Sequence, residues 1–116
     1  MKTAIFGLGK IGIPIACIFA ELGEVIGADI DPEVVDQINK GISPLPDEQL
    51  VPQLIKKHVN EGVMKATTNL DYAAKNSDVK IIIVPLIIDE NKKPDFSAVI
   101  SVSEIIGKNL KKEMWL

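Results

Sequence analysis

Apolar positions along the chain follow two alternating rhythms. Mainly apolar runs over residues 3–6, 24–30, 63–67 and 79–86 are separated by segments whose apolar residues recur every three or four positions. Such runs predict strands of a parallel sheet covered on both faces, where strict alternation is lost. Spacing of three or four predicts helices that lay one side on that sheet.

The first helical pattern follows Gly7–Gly12 and sets Ile11, Ile15, Ile18, Phe19 and Leu22 toward the sheet. Pro14 falls in its first turn, where a missing N–H costs nothing, and Gly23 is expected to close it. Asp31 followed by Pro32 reads as the start of the second helix, with Val34, Val35 and Ile38 buried and Asn39-Lys40-Gly41 as its end. After a proline-punctuated loop, a third helix is expected from Asp47, with Leu50, Leu54, Ile55 and Val59 along one side and His58 as a further candidate for it. Asn69 caps a brief helix running through Ala74. Asp95 is expected to cap a long one whose inner face carries Val99, Val102, Ile105, Ile106 and Leu110.

Strands that alternate with helices define an α/β fold, a three-layer parallel sheet with helices on both faces. The expected strand order is 3-2-1-4-5. Such a sheet binds its ligand where the order reverses, beyond the carboxyl ends of strands 1 and 4. The run Glu113–Leu116 begins the fifth strand, so the sheet is expected to be truncated at its C-terminus.

Composition narrows the function classes. The chain has 116 residues, 47% of them hydrophobic and 25% charged, which suits one domain with a real core. A net charge of −3 leaves no basic face for nucleic acid or for an anionic membrane. The single cysteine, Cys17, excludes an internal disulfide and fits a reducing compartment. No run approaches the roughly 20 apolar residues of a membrane span, and glycines interrupt the N-terminal stretch where a signal peptide would be unbroken. A cytoplasmic protein is expected.

The candidate chemistry lies in the first thirty residues. Gly7-Leu8-Gly9-Lys10-Ile11-Gly12 links a strand to a helix. The first glycine of such a turn permits the tight bend, and the second lets backbone approach a pyrophosphate. The third allows the helix to pack closely on the strand. Free N–H groups at the helix start attract the diphosphate. Asp29 stands 17 residues after Gly12 and 22 after Gly7, where a ribose-binding acid is expected. A carboxylate there accepts from ribose hydroxyls and repels a 2′-phosphate, so the turn reads as Rossmann-type and specific for NAD over NADP.

Other candidates are weaker. Lys10 reads as a solvated helix-start lysine, with a point charge over the phosphates as the sharper alternative. Cys17 sits mid-helix among Ala16, Ile18 and Ala20 and reads as a small hydrophobe. His58 reads as a surface or half-buried residue beside two lysines. Asp89, Glu90 and Asp95 match no metal-coordination loop. No nucleophile–base pair can be assembled, so neither a catalytic residue nor a metal ligand is assigned.

At this point a resemblance covers the whole chain. GLGKIGIPIA (7–16), VIGADIDPEVVDQINKG (25–41), SPLPDEQL (43–50), Ala66-Thr67-Thr68, SDVKIIIVP (77–85) and KPDFSAV (93–99) resemble the N-terminal NAD-binding domain of the UDP-glucose/GDP-mannose dehydrogenase family. The resemblance implies that Gly7, Leu8, Gly9, Lys10, Ile11 and Gly12 surround the pyrophosphate. Asp29 and Ile30 would meet the adenosine end, and Val84, Pro85 and Leu86 would approach the cofactor. It also implies a nucleotide-sugar substrate whose C6 alcohol is oxidised to a carboxylate through a cysteine-bound intermediate. That cysteine and its helpers lie in later segments of such proteins, and Cys17 matches none of them. The chain would then be a fragment, residues 1–116 of a longer enzyme that assembles as a homo-oligomer.

Three positions depart from the family pattern. Leu86-Ile87 stands where Thr-Pro is common, Lys10 where an aromatic is common, and Val34 where several members carry a basic residue. A regulatory nucleotide-binding module similar to the RCK/TrkA domains of potassium transport systems is the alternative. Its usual short passage from second helix to third strand is missing here. The β-hydroxyacid dehydrogenases, with a Gly-Leu-Gly-x-Met-Gly turn, fit Ile11 and the acids Asp29 and Asp31 less well.

Overall fold

The computed structural model describes residues 1–45, 50–83, 87–88, 94–95 and 97–109. Four parallel strands, β1 (Lys2–Phe6), β2 (Glu24–Ala28), β3 (Met64–Thr67) and β4 (Val79–Ile82), form a sheet of order β3-β2-β1-β4. This is the expected order as far as the described residues reach. Residues 113–116, where the fifth strand is expected, lie outside them. Pairing sets Phe6 opposite Ala28 on one side and Ile82 on the other, so the strand ends that carry the glycine turn and the acid are level.

Helices α1 (Gly12–Ala20), α2 (Pro32–Asn39) and α3 (Val51–Asn60) cover one face. Helices α4 (Leu70–Lys75) and α5 (Ser97–Lys108) cover the other. Each face has its own apolar cluster: Ile5, Leu8, Ile13, Val25, Ile38 and Ile55 on the first, and Ala4, Phe6, Ile26, Ala28, Val102 and Ile106 on the second. Adjacent residues of β1 and β2 point to opposite clusters, which is why these runs are mainly apolar.

Helix boundaries follow local chemistry. Asp31 caps α2 by accepting from the Glu33 N–H at 3.0 Å, and Asn69 caps α4 by accepting from the Tyr72 N–H at 3.0 Å. Gly41 ends α2 in the left-handed region at φ +77°. Asn39 does more than end its helix. Its amide accepts from the Ala66 N–H at 2.8 Å and donates to the Ala66 carbonyl at 2.9 Å. The side chain thereby acts as one residue of neighbouring strand for β3, whose outer edge has no strand among the described residues.

Four expectations need correction. The sheet-facing side of α1 is Gly12, Ile13, Ala16, Cys17 and Ala20, while Ile11, Ile18 and Leu22 are exposed and Ile15 and Phe19 only partly buried. The helix carries no charged residue to mark an outer side, so periodicity could not choose its face; size did. Gly23 does not end it by left-handed backbone. A Cβ there would lie 2.9 Å from the Met1 carbonyl oxygen, so the need is for space. α3 starts at Val51, not Asp47, because Leu50 before it has φ +70° and is exposed; Pro52 sits in the first turn. Asp95 stands two residues before the start of α5, in a two-residue strand, β6 (Pro94–Asp95), paired antiparallel with β5 (Ile87–Ile88). Val102 and Ile106 do form the buried side of α5, and Leu110 lies outside the described residues.

Candidate cofactor site

The site is built around the turn between β1 and α1. Gly7 adopts φ +113°, a conformation that favours glycine, and its N–H donates to the Ala28 carbonyl at 2.8 Å, tying the turn to the tip of β2. A Cβ on Gly12 would stand 1.8 Å from the Gly7 carbonyl oxygen. The start of α1 therefore lies directly on the turn, and only glycine fits. A Cβ on Gly9 would meet nothing within 4 Å, so the middle glycine faces open space. The N–H groups of Gly9, Lys10 and Ile11 donate to no acceptor among the described residues. Together with the start of α1 they form the anion-attracting end of a helix.

Asp29 faces this turn and is half-buried. Its Oδ2 accepts from the Leu8 N–H at 2.8 Å, and its Oδ1 accepts from the Asp31 N–H at 2.9 Å. One bond fixes the acid to the glycine turn and the other to the start of α2. A carboxylate has about four lone-pair directions, so two backbone donors leave acceptor capacity for a pair of hydroxyls. Ile30, 81% exposed, stands next to it as an apolar wall in solvent. Gly7, Gly9, Gly12, Asp29 and Ile30 are thus brought together at the carboxyl ends of β1 and β2. Leu8 is buried and its N–H is already donated to Asp29. The Lys10 side chain is exposed and makes no ion pair among the described residues. Val84, Pro85 and Leu86 lie outside the described residues, as do Asp89 and Glu90.

Cys17 is buried as expected, and burial, with the Glu21 carboxylate nearby, pushes its thiol up to about 11. His58, expected at the surface or half-buried, is fully buried. It shares the inner side of α3 with Val51 and Ile55, and its Nε2 lies 3.1 Å from Glu21 Oε1 at the end of α1. Its Nδ1 is buried without a partner among the described residues, and Glu61 Oε1 is 4.0 Å away. The i, i+4, i+7 spacing of 51, 55 and 58 carried that information; two lysines beside His58 obscured it.

A glycine turn with free N–H groups, an acid bound to that turn at the end of the adjacent strand, and a parallel sheet beneath them define a dinucleotide-binding domain. Comparison with known proteins gives the family. The model of the UDP-glucose/GDP-mannose dehydrogenase family, NAD binding domain, matches residues 1–116, and the chain belongs to that family as this domain. It is 39% identical over 113 residues to a UDP-N-acetyl-D-mannosamine dehydrogenase of Campylobacter jejuni, covering 96% of this chain and 26% of that protein. It is 32% identical over 117 residues to a UDP-N-acetyl-D-glucosamine 6-dehydrogenase of Pseudomonas aeruginosa, covering 97% and 25%. Among solved structures, a ternary complex of GDP-mannose dehydrogenase from Pseudomonas aeruginosa superimposes with a TM-score of 0.90 at 31% identity, covering 97% of this chain and 26% of that one. The chain therefore spans about a quarter of the length of the relatives it matches. The choice between a dehydrogenase domain and a potassium-transport module falls to the dehydrogenase.

Proposed function

We propose that this domain holds NAD for a nucleotide-sugar 6-dehydrogenase that oxidises the C6 alcohol of a UDP- or GDP-linked sugar to the carboxylate. The observation that carries the reading is the pairing of open N–H groups at Gly9, Lys10 and Ile11 with an acid fixed beside them. NAD, when bound, supplies the hydride acceptor. Backbone N–H groups of Gly9, Lys10 and Ile11 neutralise its pyrophosphate, helped by the α1 dipole and by the Lys10 ammonium. The three glycines let the diphosphate come against bare backbone. Asp29, already oriented by Leu8 and Asp31, accepts from the adenosine ribose hydroxyls, and Ile30 offers its apolar surface to the adenine. The family resemblance adds Val84, Pro85 and Leu86, which lie outside the described residues, to the cofactor's surroundings.

The same geometry disfavours NADP. A 2′-phosphate would replace a hydroxyl donor with an anion at a carboxylate, with Asp31 and Glu33 following on α2. Oxidation itself requires a nucleophile that this stretch does not offer, since Cys17 is buried and its thiol is pushed up. Alone, residues 1–116 bind cofactor and do not turn over a nucleotide sugar. The whole enzyme is a cytoplasmic homo-oligomer supplying uronate building blocks for polysaccharide.

The reading is tested by titrating NAD into the wild-type chain and into Asp29→Ala by calorimetry. Loss of two charge-assisted acceptor bonds predicts weaker binding by about 1–3 kcal/mol. Unchanged affinity in the variant would remove Asp29 from the site.

A further inference from the structure

Gly27 lies inside β2, two residues before Asp29, and is buried. A Cβ built on it would stand 2.9 Å from both terminal methyl carbons of Leu8 and 3.4 Å from its Cγ. Leu8 is the residue between the first two glycines of the turn, and it is 4% exposed. Its side chain drops into the notch that Gly27 leaves, beside Ile13, Ala16 and Ile38. Its backbone N–H is bound by Asp29 at 2.8 Å. One residue of the turn is therefore held at both ends, by β2 through a space-filling contact and by the acid through a hydrogen bond.

We propose that Gly27 and Leu8 form a positioning pair. The depth of the notch sets how far Leu8 draws the glycine turn down onto the sheet. That depth fixes where the N–H groups of Gly9, Lys10 and Ile11 stand relative to Asp29. The inference rests on the NAD reading of the site, and deepens it by assigning a role to two residues that donate nothing to the ligand. Backbone donors act on a diphosphate over tenths of an ångström, so a side chain forced upward at position 8 costs affinity without removing any bonding group.

Calorimetric titration of the 116-residue chain with NAD tests this, with the melting temperature of each variant recorded. Gly27→Ala should weaken binding by about tenfold: its Cβ must displace the Leu8 methyls, and on this proposal the turn above follows them. Adding Leu8→Ala to Gly27→Ala removes those methyls and should recover most of the lost affinity, while the melting temperature stays below that of wild type. Leu8→Ala alone keeps the wild-type notch, folds with a cavity, and should weaken binding several-fold. It supplies the test if Gly27→Ala does not fold. A purely structural role would lower the melting temperatures and leave NAD affinity unchanged, which would overturn the proposal. A double variant no tighter than Gly27→Ala would overturn it too. If the wild-type chain binds no NAD, the reading of the site falls and the positioning pair with it. Wild-type binding with unaffected variants would remove the pair alone.

Discussion

Helices α1 and α3 lie side by side on the same face of the sheet, joined through Glu21 and His58, yet they obey different packing rules. α3 has charged residues on its outer side and buries Val51, Ile55 and His58. α1 has none and turns its small residues inward, leaving Ile18 62% and Leu22 81% exposed. The difference comes from the turn that precedes α1. Because Gly12 rests on the Gly7 carbonyl, the helix is drawn close to the strands, and Ile13 is the one large side chain of α1 fully buried against them. Ala16, Cys17 and Ala20 fill what space remains. In α3 the apolar Val51 and Ile55, with His58 held by Glu21, select the face. A helix recruited to a cofactor turn is positioned by its smallest residues.

Substitutions can break that contrast. The largest effect is expected for Gly12→Ala, whose Cβ has no room against the Gly7 carbonyl: a loss of about 4 kcal/mol in urea unfolding, or failure to fold. A paired substitution in α1 sharpens the size rule. Ala16→Leu, which adds volume on the inner side, should cost about 2 kcal/mol, whereas Ile18→Ala, which removes volume from the exposed side, should stay within about 0.5 kcal/mol. The reverse ranking would mean that the large residues, not the small ones, hold α1 in place.

A smaller effect comes from pH. The Cys17 thiol is held above its ordinary 9.0, at about 11, so the folded chain keeps its proton where the unfolded chain has lost it. Stability should therefore be complete below about pH 9 and decline as pH rises toward 11, by on the order of 1 kcal/mol. Cys17→Ala should flatten that decline when melting is followed across this range. The native thiol should also resist alkylation at pH 8 until the protein unfolds.

The sequence made the sheet, its strand order and the glycine turn legible, because each rests on local pattern: mainly apolar runs, Gly7, Gly9 and Gly12 at fixed spacing, and caps at Asp31 and Asn69. Position in space was harder. The inner side of α1 was misread because an all-apolar helix offers no polar face to exclude. His58 was misread because its partner, Glu21, is distant in sequence. The two-residue strands at 87–88 and 94–95 are too short to carry a pattern. Spacing alone singled out Asp29, but not its bonds to Leu8 and Asp31, which depend on three segments meeting. Only the fold revealed that the glycine at 27 makes room for Leu8.

The account rests on an acid fixed beside open backbone donors, and cofactor choice tests that arrangement most directly. Parallel calorimetric titrations of the wild-type chain with NAD and NADP should show NAD binding at least about tenfold tighter, as the Asp29 carboxylate gains hydroxyl donors from one ligand and meets a phosphate on the other. Equal affinity, or tighter binding of NADP, would show that Asp29 does not face the ribose and would contradict the account.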